Sequence, residues 1–72
     1  SIMKGLYLIK DGVNYMEFHD WNDIPMEFDN LIRFEPDIIP EPHTEEEHEI
    51  MESYNNKLQE LMKRERGYAG SN

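Results

Sequence analysis

The stretch GLYLIKDGVNYMEF, residues 5–18, decides the fold. Two runs of strand-forming residues flank Asp11-Gly12. Asp-Gly favours the two-residue type I′ turn, whose central positions need positive φ. A hairpin closed there pairs Lys10 with Val13, Leu8 with Tyr15 and Leu6 with Glu17 on one face. On the other face it pairs Ile9 with Asn14, Tyr7 with Met16 and Gly5 with Phe18. Both faces are then partly apolar. A helix can cover one of them. The other needs a loop or a second copy of the chain.

Working outward, HDWNDIPMEFDN (residues 19–30) is rich in turn formers. Asn22 or Asp23 is placed to cap a short helical turn, with Pro25 near its first position, where a missing N–H does no harm. LIRFE (31–35) reads as a third strand, with Leu31, Arg33 and Glu35 on one side and Ile32 and Phe34 on the other. In PDIIPEP (36–42), three prolines exclude helix and favour an extended connection. Ile38 and Ile39 are expected to tuck that connection onto the core.

The spacing of apolar residues predicts a helix over about 45–66. Thr44 is a good N-cap, and Glu47 three residues on completes a capping box. Ile50, Met51, Tyr54, Leu58, Leu61 and Met62 recur at intervals of three and four, forming one apolar stripe. Glu60 and Arg64 are a favourable i,i+4 pair. Lys63, Arg64 and Arg66 suit the negative end of the dipole, and Gly67 suits a left-handed cap. The expected fold is therefore α+β. A hairpin (5–18) and a third strand near 30–35 form a small antiparallel sheet, packed by one C-terminal amphipathic helix. A two-stranded hairpin whose helix completes its core only in a dimer is the alternative. Residues 1–67 form one domain, and 68–72 read as a polar flexible tail.

With 72 residues the chain makes one domain at most and buries a small share of its surface. Such scaffolds often need a disulfide, a metal or oligomerisation. There is no cysteine, so disulfides and thiolate metal sites are excluded. Lack of cysteine fits a reducing, cytoplasmic setting. No secretory signal is read, and no apolar run approaches the roughly 20 residues of a membrane-spanning helix.

Charge is the strongest feature, at −9 overall. Residues 11–52 carry fourteen carboxylates against Arg33 alone. Such a field repels nucleic acid and anionic lipid and attracts basic partners. The densest stretch is EPHTEEEHEIMES (41–53), with six glutamates and two histidines. At about 100° per residue, Glu45, His48, Glu49 and Glu52 form one column on the side of the helix away from the apolar stripe. A lone outward Glu-x-x-His pair lacks the facing ligands and supporting shell of a metal site. His43 joins His48 only by folding back around the N-cap.

His19-Asp20 invites a general-base reading, but neighbours along a strand or turn point apart, and no third group completes a catalytic set. The four glycines are scattered, so there is no phosphate-binding loop. No catalytic residue, cofactor or metal is assigned, and the chain is expected not to be an enzyme. Trp21, in an acidic loop, is either a core anchor or an interface hot spot. Stacking on bases needs a positive groove, which this chain lacks, so direct nucleic-acid binding is not expected.

Two functions follow from this composition. In the first, the protein is an acidic interaction module, an inhibitor or adaptor. Helical carboxylates four residues apart lie about 6 Å apart along the axis, similar to phosphates along one nucleic-acid strand. Glu41, Glu45, Glu49 and Glu52, with Asp20, Trp21, Asp23, Glu27 and Asp29 from the loops, would face the basic groove of a nucleic-acid-binding protein. Small phage-type inhibitors of host factors and DNA mimics share this composition, though no motif. In the second, the chain is a homodimeric structural or regulatory module whose acidity serves solubility.

Overall fold

The computed structural model describes residues 3–68. The chain forms β1 (Lys4–Asp11), β2 (Asn14–Asp20), β3 (Asn30–Pro36), α1 (Glu45–Glu52) and α2 (Tyr54–Met62). The three strands make one antiparallel sheet in the order β2-β1-β3. The two helical segments form one bent C-terminal helix. This is the expected α+β architecture.

The hairpin register differs from the expected one by two residues. Asp11 faces Asn14, Ile9 faces Met16 and Tyr7 faces Phe18, so the turn residues are Gly12 and Val13. Gly12 takes φ +62° while Val13 does not have positive φ, the pattern of a type II′ turn. Packing explains the choice. This register sets Ile9 and Tyr7 against apolar partners, where the Asp-Gly turn would set Ile9 against Asn14. A shift of two leaves every side chain on its original face.

β3 carries a bulge that also changes a face. Leu8 faces Arg33 but Ile9 faces Leu31, leaving Ile32 as an extra residue. Leu31 and Phe34 therefore both pack toward the core, and Ile32 is exposed. The strict alternation expected for LIRFE fails there because both large side chains gain burial. A second bulge lies in β1, where Gly5 and Leu6 together span the interval opposite His19.

The core is Met3, Tyr7, Ile9, Ile24, Phe28 and Leu61, closed over by Met16, Phe18, Trp21, Leu31, Phe34, Ile50 and Tyr54. Tyr7 is fully buried, with its hydroxyl donating to the Met3 carbonyl at 3.3 Å. Burial, with smaller effects from Tyr54 and the nearby carboxylates, pushes its pKa up to about 12.

The loop turn lies earlier than expected. It is a 3₁₀ turn over Trp21–Asp23 capped by Asp20, whose carboxylate accepts from the Asn22 N–H at 2.9 Å. Asp20 wins the cap because it is the last strand residue and still extended, as a cap requires. In the proline-rich connection Ile39 is half-buried, but Ile38 is 87% exposed, contrary to expectation. The two neighbours point opposite ways on extended chain, so only one can reach the core.

The helix starts as expected. The Thr44 hydroxyl accepts from the Glu47 N–H at 3.0 Å, and the Glu47 carboxylate accepts from the Thr44 N–H at 2.8 Å. It bends at Ser53, whose hydroxyl donates to the Ile50 carbonyl at 2.7 Å, a side-chain bond that competes with the regular ladder. It ends at Met62, earlier than the expected 66. Residues 64–66 instead run beside Phe28: the Phe28 N–H donates to the Arg64 carbonyl (3.2 Å), and the Arg66 N–H to the Phe28 carbonyl (2.8 Å). Gly67 does take left-handed φ, +76°, but beyond this segment. The expected tail lies almost wholly outside the described residues. Tyr68, at its start, donates its N–H to the Glu65 carbonyl at 3.2 Å.

Candidate interaction surface

The sequence-predicted acidic residues separate into two groups. The first lies on α1. Glu45, Glu46, Glu49 and Glu52 are exposed along it, and Glu41 is exposed before it. Among the described residues, Glu41, Glu45, Glu46 and Glu49 have no lysine, arginine or histidine within ion-pair reach. Glu52 meets only His48, at 3.4 Å. The capping box orients this group by fixing where the helix begins, and the Ser53 bend ends the column at Glu52.

The second group is held by internal cations. Lys4 bonds Asp20 at 2.9 Å. This ammonium, and then the Asn22 N–H, hold the Asp20 carboxyl below its usual range. Arg66 joins Asp11, Asp29 (3.0 Å) and Glu27 (3.5 Å). Asp29 also accepts from the Gly12 N–H at 2.6 Å, tying loop to hairpin turn. That N–H first, and Arg66 second, hold Asp29 below the usual carboxylate range. Asp23 is exposed and has no cation in reach.

This geometry sets a pH dependence. Asp29 is depressed relative to an unfolded aspartate near about 4. Its contribution to stability is therefore full above that value and is lost as pH falls through the folded value. Asp29→Asn should lower the thermal midpoint at pH 7, with the gap from wild type closing as pH falls below about 4. A constant gap across that range would mean that its charge does not act.

Trp21 is half-buried. It meets the Tyr7 ring edge-on with centroids 6.2 Å apart, and Lys57 and Arg64 each lie 5.1 Å from its ring. These are cation–π distances. The ring thus joins the loop to α2 and the segment after it.

His43 does fold back around the N-cap. Its Nε2 lies 3.4 Å from His48 Nδ1, with the rings nearly parallel. Among the described residues, no group of three or more histidines, cysteines or carboxylates is placed to hold a metal ion. His19 pairs with Glu17 at 2.9 Å and does not engage Asp20. No helix among the described residues is long and apolar enough to cross a membrane.

Beside α1 lies a cleft of about 420 Å³ whose lining includes Met3, Lys4, Ile39, Glu46, Ile50 and Tyr54. Tyr54 is held by its hydroxyl donating to the Asp37 carbonyl at 2.6 Å.

Sequence reasoning missed Arg66 and Glu65. Arg66 was expected at a helix end but clamps three acids, Asp11 at the end of β1 and Glu27 and Asp29 in the loop before β3. The Glu65 carboxylate accepts from the Leu31 N–H at 2.8 Å, covering part of the β3 edge. Only the shortage of cations among so many loop acids hinted that one arginine must serve several.

The chain is thus a small α+β domain, a three-stranded antiparallel sheet with one bent helix, and among the described residues Glu45, Glu46 and Glu49 of α1, with Glu41 just before it, form its largest group of acids without a cation in reach. No protein-family model, curated protein or solved structure matches it.

Proposed function

We propose that this is an acidic protein-interaction module, an inhibitor or adaptor that presents the α1 carboxylates to a basic protein surface. The observation that carries this reading is the division of the acids. Internal cations hold Asp20, Glu27 and Asp29, whereas Glu41, Glu45 and Glu49 are exposed and unpaired. The lysine and arginine ion pairs fall on the strands, on the loop before β3 and on α2, and among the described residues none reaches the α1 carboxylates.

Glu45 and Glu49 are one helical turn apart, about 6 Å along the axis, and Glu52 extends the column. A groove of Lys and Arg built for a nucleic-acid backbone suits such a column, and the mechanism is occlusion without chemistry. The neighbouring cleft accepts an apolar side chain next to the partner's basic residues. Asp23 can add to the strip from the loop end. Trp21 contributes by holding that loop.

The test is capture of a nucleic-acid-binding partner from the native host's lysate at low and high salt, followed by competition with duplex DNA. The captured protein should be released by salt, because screening weakens exposed charge pairs, and displaced by DNA. Glu45→Gln, Glu49→Gln and Glu52→Gln together should weaken its binding at least about tenfold, or ~1.4 kcal/mol, with an unchanged circular dichroism spectrum. Binding that survives the triple change removes the basis of this reading.

A further inference from the structure

The sheet has a second face that α1 and α2 do not cover. Tyr7 and Ile9 point into the core, so alternation puts Leu6, Leu8 and Lys10 of β1 on the opposite face. The edge strands confirm which residues accompany them. Glu17 and His19 of β2 meet at 2.9 Å, and Arg33 and Glu35 of β3 at 3.4 Å, so each pair shares one side of its strand. Register places them in rows. Leu8 stands between Glu17 and Arg33. Leu6 lies beside Glu35, with His19 on its other flank. Tyr15, 64% exposed, faces Lys10 in the next row.

This face differs in charge from the rest of the molecule. In a chain of −9, it balances Lys10 and Arg33 against Glu17 and Glu35. It also holds the one basic residue, Arg33, found between positions 11 and 52. The unpaired Glu45, Glu46 and Glu49 are on α1, which is not part of this face.

In the Leu6 and Leu8 rows the sign pattern is its own complement, and only Lys10, which meets Lys10 on the axis, sets like charges together. Turn one copy over about an axis along β1, and its β2 lies over the other copy's β3. Glu17 of one copy then faces Arg33 of the other, and His19 faces Glu35, each contact occurring twice. Leu8 meets Leu8 and Leu6 meets Leu6 along the axis. We infer that the occupant of this face is a second copy of the chain, packed sheet on sheet as an isologous dimer. The inference does not rest on the acidic-module reading. The dimer contacts are Leu8 and the edge-strand charges, while Tyr7 and Ile9 are fully buried in the chain's own core.

Area sets the strength. Eight residues of β1 at about 3.3 Å and three strands at about 4.8 Å give a footprint of roughly 26 by 14 Å. Standard interfaces bury roughly 800 Å² per partner, about twice this footprint, so this is a weak dimer that forms only at high concentration.

The test is sedimentation equilibrium of the full chain over a concentration series up to about 1 mM. The wild type should move from the monomer mass of 8.7 kDa toward twice that. Leu8→Glu should remain monomeric while keeping the dilute wild-type spectrum. Glu17→Arg and Arg33→Glu change exposed side chains, so both should fold, and each should weaken self-association at least about tenfold by setting like charges together. Mixed one to one, these two variants should pair with each other at close to wild-type strength, because both opposed contacts are then restored. A wild type that stays monomeric at the top concentration overturns the proposal. So does a dimer indifferent to Leu8→Glu, or a mixture no tighter than its components. The α1 triple glutamine variant should still dimerise, so this proposal and the acidic-module reading fail separately.

Discussion

Phe28→Ala should remove a large part of the stability of the fold. Phe28 has no exposed surface and lies in the core with Tyr7, Ile9 and Leu61. Its backbone is bonded on both sides to the segment after α2, through the Arg64 carbonyl and the Arg66 N–H. Truncating such a side chain costs about 3–5 kcal/mol in lost transfer and residual cavity. A domain of 72 residues has roughly 4–11 kcal/mol in total at 0.05–0.15 kcal/mol per residue. The variant should therefore show a strongly lowered urea midpoint or no cooperative transition. Trp21 fluorescence is a suitable probe, because Arg64 lies against that ring and moves with the segment that Phe28 anchors. Phe28→Leu should retain most of the transition. A midpoint within about 0.5 kcal/mol of wild type, the level of ordinary surface changes, would show that Phe28 is not the packing centre.

Phe28 also illustrates what the sequence made legible and what it did not. It stands in a stretch read as turns, where periodicity has no template, so nothing local marked it as core. The hairpin, third strand, capping box and helix were legible because each rests on short-range chemistry: alternation, a turn glycine, an N-cap, an apolar stripe. The register was not, because Asp11-Gly12 and Gly12-Val13 are both acceptable turns. The choice between them is made by cross-strand partners of Tyr7 and Ile9 in β2. The Ile32 bulge was hidden for a similar reason: it answers to the core's demand for both Leu31 and Phe34. The helix length failed at Ser53 and Met62, where a hydroxyl and the Phe28 backbone compete with the helical ladder. For the surface, the acidic column on α1 was readable from helical spacing. The neutralisation of Asp20, Glu27 and Asp29 was not, since Lys4 and Arg66 are 16 to 39 positions away from them. Long-range pairing of a few cations leaves no local pattern.

Gly5→Ala tests the closest approach in the sheet. A Cβ at Gly5 would lie 2.5 Å from the Glu35 carbonyl oxygen and 2.6 Å from the Pro36 Cα. Both are backbone atoms of β3, so no side chain can turn aside. The Tyr7 hydroxyl, at 3.0 Å, blocks a third direction. β1 and β3 must separate at the bulge, and overpacking of this kind costs typically about 1–3 kcal/mol. Gly12→Ala provides the contrast. Nothing lies within 4 Å of its Cβ, and only its positive φ resists substitution, a penalty of about 1–2 kcal/mol. The two variants should differ in kind as well as degree. In Gly5→Ala, hydrogen exchange should accelerate at the Asp37 N–H, which bonds the Lys4 carbonyl at 2.9 Å, and along the Gly5–Pro36 and Leu6–Glu35 pairs. Protection at the Ile9–Met16 end of the hairpin should persist, because that pairing does not pass through β3. Gly12→Ala should loosen the turn and leave the β1–β3 pairs near Pro36 protected. If Gly5→Ala exchanges like the wild type throughout, the two strands do not approach as closely as this packing requires, and the β1 bulge loses its reason for carrying glycine.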